Sequence, residues 1–286
     1  MTKISIPREE LEFITDEVLI TFPHVFPGNT KRNEKSGNHS YTLEAVHEPT
    51  LTWETPMVKA VRRVAEEFDK QNWQRHVFGQ MGVFKRLEDM PKRNASKYPY
   101  AQGKFILNFS RVVSLAFLKM KDANLADPAQ RAAFEAALAR EAPRVVRFAN
   151  PNDPNDIAQI SAMNQELALK GLPQIPAEKI RMTLLPVASH ELWSGCYGRI
   201  HGRAYWANNA MPATVCLSLE MILLTRQGER LGAAPASPDD VFGEFAPTAE
   251  LAPPPVPGFI PGPAMPAIPQ PQVPVAAAPS LLDLLR

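Results

Sequence analysis

The sequence predicts a mainly β protein with inserted helices. From Cys196 to Trp206, small or apolar residues alternate with polar and aromatic ones in the two-residue period of a strand. Ala213 to Leu223 repeats that period after the turn-forming cluster Asn208-Asn209-Ala210-Met211-Pro212, which describes a β-hairpin. Shorter alternating runs lie upstream at 17–25, 40–47 and 104–113. Between the runs come stretches of helical period, each opened by a short polar residue.

In chain order, EVLITFPHV (17–25) is the first strand, with Val18, Ile20 and Phe22 expected on one face. Pro27-Gly28-Asn29 ends it, and a polar, basic loop follows to Asn38. Tyr41, Leu43 and Ala45 mark the second strand. Thr55 then caps a helix with Pro56 at its first position, and Val58, Val61, Ala65 and Phe68 recur at the spacing of one buried face as far as Lys70. Residues 71–103 are basic and aromatic without a clear period, a long excursion containing a short helix or hairpin. Phe105, Leu107 and Phe109 face one way in the third strand. Asp127-Pro128 opens a second helix that runs to Glu141, and Asn155-Asp156 a third that Gly171 and Pro173 stop. This block, about 115–190, reads as a helical insertion packed beside the sheet. The expected organisation is an N-terminal arm (1–16), a domain with this insertion (17–245) and a tail (246–286).

The first hairpin strand has two unlike sides. Cys196, Gly198, Ile200, Gly202, Ala204 and Trp206 form one, and Tyr197, Arg199, His201, Arg203 and Tyr205 the other. Guanidinium groups attract phosphates and exposed rings stack on unpaired bases. Arg and Tyr are equally ordinary on the wet face of an antiparallel sheet, and on the residues alone both readings stand.

The net charge of +1 divides into +5 on the first 230 residues and −4 on the remainder. A mildly basic body suits a polyanionic partner without demanding one. Of the last 40 residues 12 are proline, so the tail is expected to be extended and disordered. Leu281, Leu282, Leu284 and Leu285 at its tip read either as a partner-binding peptide on a spacer or as apolar residues docking on their own domain.

Cys196 and Cys216 are expected as small buried thiols on the hairpin, and they do not make up a zinc set. No stretch is apolar enough to span a membrane, and MTKISIPREELEF lacks the apolar run of a secretory signal. There is no GxxxxGK[ST], GxGxxG or GxSxG, and the six histidines form no metal-binding pair. No metal, no cofactor and no reaction centre are implied, so an enzyme is not expected.

Ser194-Gly195-Cys196-Tyr197, then Tyr205 with Asn208-Asn209, then Gly228-Glu229 with Leu231-Gly232, and the close Asp239-Asp240 with Phe242, together resemble a known pattern. It is that of phage single-stranded DNA-binding proteins, an OB-fold family long known only as a domain of unknown function. Ala233 stands where that family has a second glycine, and the proline-rich tail where its members are often acidic. The resemblance implies a five-stranded Greek-key barrel that holds single-stranded DNA on one face and its bordering loops. It implies Arg199 and Arg203 on phosphates, Tyr197 and Tyr205 stacked on bases, and His201 on the same face. Tyr100, Lys104 and the loop Lys92–Lys97 follow as further contacts. Protection of unpaired DNA in phage replication or recombination, in the cytoplasm of the infected bacterium, is the expected role. Replication or recombination proteins are the expected partners of the tail tip. An RNA-binding module and a recruitment scaffold working through that tip are the alternatives.

Overall fold

The computed structural model describes residues 6–32, 38–90, 98–113, 126–208 and 212–231. Contacts divide the chain into Met1–Leu231 and Gly232–Arg286, and every described residue belongs to the first unit. The expected boundary at 245, the tail with Leu281, Leu282, Leu284 and Leu285, and the loop Lys92–Lys97 lie outside the described residues.

Ten strands make one sheet: β1 (Glu12–Ile14), β2 (Val18–His24), β3 (Lys31–Arg32), β4 (His39–His47), β5 (Lys85–Arg86), β6 (Phe105–Val113), β7 (Arg144–Phe148), β8 (Leu184–Pro186), β9 (Tyr197–Ala207) and β10 (Thr214–Arg226). The helices are α1 (Pro56–Phe68), α2 (Pro128–Arg140) and α3 (Pro154–Leu169). Strand order is β1-β9-β2-β4-β6-β10-β7-β8, and β9 pairs with β10 as well. The path β9-β2-β4-β6-β10 therefore returns to β9. All its pairings are antiparallel except β6 with β10.

Side-chain parity explains why the sheet curls around one core. Ile20, Leu43, Ala45, Leu107, Phe109, Ile200, Ala204, Leu217 and Leu219 all point inward. There they meet the apolar stripe of α1, with Val58, Val61, Val64 and Ala65 buried. Each buried aliphatic side chain removes about 1.5–3 kcal/mol of apolar surface from water. Glycines at 198 and 202 let β9 run tightly: a Cβ would lie 2.8 Å from the Leu223 carbonyl oxygen and 2.6 Å from that of Ser218, respectively.

Four expectations are corrected. First, Phe22 does not share the inward face of Val18 and Ile20. The register passes from Thr21↔Glu44 to His24↔Thr42, so β2 carries one residue more than β4, and Phe22 takes a φ of 48° at this bulge. The extra residue reverses parity and turns the ring out to solvent. Second, residues 12–14 are not part of a free arm, because β1 pairs with β9. Third, the insertion is more than helical. Its β7 lies parallel to β10 and its β8 antiparallel to β7, so it widens the sheet. Fourth, α3 is capped by Asp153, whose carboxylate accepts the Asn155 N–H, with Pro154 at the first position. Asp156 is instead fully buried, and its two oxygens accept from Arg147 at 2.6 Å each. That pairing holds the Asp156 carboxyl below the usual carboxylate range.

The long excursion after α1 is ordered by aromatic packing where it is described. Phe84 and Val77 are fully buried, and Phe78 packs against Trp53, Phe84 and Phe105. A chain of side chains ties this region to the hairpin. His76, fully buried, meets Asp69 Oδ2 through Nε2 at 2.9 Å and Thr214 Oγ1 through Nδ1 at 3.3 Å.

Candidate nucleic-acid interface

On the outer parity of the closed strand path the side chains are of another kind. Arg203 and Tyr205 project from β9, Ser218 and Glu220 from β10, and Ser110 and Asn108 from β6. Thr42 and Glu44 project from β4. One depression is lined by Arg203, Tyr205, Ser218, Glu220 and Ser110 together with Arg8 and Arg111. A second is lined by Asn108, Ser110, Thr42 and Glu44, with Lys31 of β3 and Phe22 at the bulge of β2. Ser110 lines both. The two depressions therefore adjoin at β6, one drawing its lining from β9, β10 and β6 and the other from β6, β4, β3 and β2.

These paired depressions, the groove, mix cations, rings and carboxylates. Arg8 pairs with Glu12, while Arg111 is held at 2.9 Å by Glu220 and at 3.1 Å by Glu141. Among the described residues no carboxylate pairs with the Arg203 guanidinium or with Lys31, so these two cations remain for an anionic ligand. Tyr205 stands opposite Cys216 of β10, and burial pushes its phenol up. Phe22 is 45% exposed and sits edge-on to Tyr98 at 6.4 Å, and Tyr98 sits edge-on to Tyr100 at 6.1 Å.

The residues singled out from sequence fall into three settings. Arg203 and Tyr205 line the groove. Tyr197 and Arg199 lie at the opposite end of β9, where the Arg226 guanidinium covers the Tyr197 ring at 3.4 Å and Arg199 is exposed. His201, between them, has Nε2 3.9 Å from Glu12 Oε2 beneath the paired strand β1. Tyr100 ends the ring row that begins at Phe22, and Lys104 pairs with Glu48 at 2.6 Å. Sequence reasoning missed Phe22, Lys31, Tyr98, Asn108 and Ser110. A proline after a bulky residue within a strand, as in Phe22-Pro23, was the available signal of a bulge.

The motif residues around 194–197 build something different. The segment 226–231 folds back over 193–197. Leu231 N–H donates to the Ser194 carbonyl at 2.8 Å, and Trp193 Nε1–H to the Gly228 carbonyl at 3.2 Å. Gly195, at φ 116°, leaves no room for a side chain: a Cβ would lie 1.8 Å from the Glu229 carbonyl oxygen. Arg230 stacks on Trp193 at 4.8 Å. Both cysteines are free thiols, Cys196 fully buried in this clasp and Cys216 half-buried beside the groove. Among the described residues no helix is long and apolar enough to cross a membrane, and no three ligand-type side chains are grouped to hold a metal ion.

The described residues thus form a mainly β sheet with a few helices, with two adjoining depressions on its outer side. No protein-family model and no curated protein matches the chain. Among solved structures it is similar to the single-stranded DNA-binding protein from bacteriophage Enc34 in complex with ssDNA, with a TM-score of 0.42 and 11% identity over 77% of this chain and 89% of that one. A second structure of the Enc34 protein gives 0.41 and 10% over 81% and 89%. The single-stranded DNA-binding protein gp2.5 encoded by bacteriophage T7 gives 0.39 and 11% over 88% and 98%. At these values the likeness is distant.

Proposed function

We propose that this chain binds single-stranded DNA with little regard to sequence and protects it during phage replication or recombination. One observation carries the reading. Two depressions on the outer side of the closed path adjoin at Ser110, one lined by Arg203 and Tyr205 and the other by Lys31 and Phe22. On this reading the closed path is a five-stranded barrel of the OB type. In such barrels the second and third strands and two bordering loops hold oligonucleotides. The counterparts of those two strands are β4 and β6.

The work done is thermodynamic, and no bond need be made or broken. A protein that binds only the unpaired form draws the duplex equilibrium toward open strand by mass action. Rings accept any base and each stacked base contributes about 1–3 kcal/mol, so sequence preference stays small. The cytoplasm of the infected host is the setting proposed. The leucine-rich tip at 281–285 is assigned to a replication or recombination partner.

Parallel titration of a labelled oligonucleotide, single-stranded and annealed to its complement, tests the proposal at two salt concentrations. Single strands should bind far more tightly than duplex, with a log–log salt slope of about −0.7 per phosphate contact. Equal affinity for both forms would sink it. A matched ribo-oligomer as competitor decides between DNA and RNA.

A further inference from the structure

Phe22 is the only non-glycine residue at positive φ among the described residues. That region is disfavoured for any bulky side chain, and the following Pro23 restricts Phe22 further. Burial of the ring does not offset the strain, since the ring stands 45% exposed. Strained residues held by their surroundings concentrate at ligand contacts. The hold here is specific. Ile20 N–H donates to the Cys196 carbonyl at 2.7 Å and Gly195 N–H to the Ile20 carbonyl at 2.9 Å. Where that backbone ladder runs out, the Ser194 hydroxyl accepts the Phe22 N–H at 2.8 Å.

We propose that Phe22 is a platform on which an unpaired nucleobase stacks, and that Ser194 is its positioning residue. This rests on the single-strand-binding reading above. Tyr98 supports one edge of the ring. Lys31, on the same depression, supplies a cation for the adjoining phosphate. The bulge turns outward a ring that the strand's alternation would have sent into the core, and it turns that ring into the depression that adjoins Arg203's at Ser110.

The test pairs affinity for a fluorescein-labelled oligothymidylate with thermal stability. Phe22→Ala should weaken binding by about 5- to 150-fold, the loss of one stacked base, and leave the salt slope unchanged. Phe22→Gly removes ring and strain together, because glycine accepts positive φ freely, so it should bind as poorly as Phe22→Ala while melting at or above the wild-type temperature. Phe22→Trp should keep affinity, and its added indole fluorescence should be quenched by the oligomer. Ser194→Ala should weaken binding in the wild-type background and have no further effect on Phe22→Ala, a coupling that a merely structural serine would not show. Wild-type affinity in Phe22→Ala and Phe22→Gly would overturn the proposal, as would a Phe22→Gly protein that melts well below wild type. If the wild-type chain itself fails to bind the oligomer, the functional reading falls first and the platform with it.

Discussion

The two ends of β9 invite comparison. At its start, Gly195 and Tyr197 are locked beneath the returning segment 226–231, backbone against backbone and ring against guanidinium. At its far end Arg203 and Tyr205 open into a depression lined from β9, β10 and β6. The first region holds Ser194, Gly195, Cys196, Tyr197, Gly228, Glu229 and Leu231 of the recognisable sequence pattern, and there Gly195, Cys196 and Tyr197 serve packing. The second region shares only Tyr205 and Asn208 with that pattern, and its cation Arg203, like Lys31 and Phe22 of the adjoining depression, lies outside it. A clasp needs particular residues at fixed spacing, because only glycine fits where two backbones meet. A groove needs only the right chemistry at each of several distant strand positions.

The sharpest way to break that contrast is Gly195→Ala. A methyl group there would collide with the Glu229 carbonyl oxygen in a backbone conformation that alanine resists. The expected cost is about 3 kcal/mol or more in urea unfolding, at the severe end for a single substitution. Unchanged stability would mean the clasp is not what the glycine serves. Next in size is the pair Arg203→Ala and Arg199→Ala. Removing Arg203 should weaken oligothymidylate binding and make the salt slope shallower by about 0.7, with stability untouched. Arg199, exposed at the clasp end and opposite Leu223, should change affinity by much less. Equal losses at both positions would extend the DNA path along β9 and dissolve the distinction between its ends.

Much of the scaffold was legible because it obeys simple periods. The strands expected at 40–47, 104–113 and 195–207 lie at 39–47, 105–113 and 197–207, and Asp127 caps α2 by accepting the Ala129 N–H. Thr55 was read as a cap, yet its hydroxyl accepts from the Thr52 N–H instead, and α1 starts at Pro56 regardless. What escaped reading depends on partners far away in sequence. Strand β7 is five residues with only Val145 and Val146 between two arginines, and β8 ends in proline, so neither shows an alternation long enough to notice. β7 is a strand because β10 offers an edge, and β8 because β7 then offers the next. The groove was half-legible. Arg203 and Tyr205 announced themselves by alternation, whereas the outward turn of Phe22 follows from a bulge that only the register against β4 defines.

The smallest effect tests the border between groove and insertion. Tyr41 lies on β4 next to the groove residue Thr42, but its own ring is fully buried among Val113, Phe134 and Leu138. Its hydroxyl donates to the Leu138 carbonyl at 2.6 Å, fastening α2 to the sheet. Burial pushes the phenol up to about 12. An unfolded tyrosine titrates near 10, so the folded state holds this proton more tightly. The resulting stability is complete below about pH 10 and is lost as pH rises toward about 12. Tyr41→Phe should cost about 1 kcal/mol at neutral pH, the worth of one hydrogen bond, and should flatten the stability decline across that alkaline window. A residual decline should persist, because burial also raises Tyr205, Cys196 and Cys216. Oligothymidylate affinity at neutral pH should stay unchanged, because the ring points away from the groove. Parallel alkaline curves for the two proteins would show that α2 is not secured through this hydroxyl. A loss of affinity would place the insertion inside the binding surface.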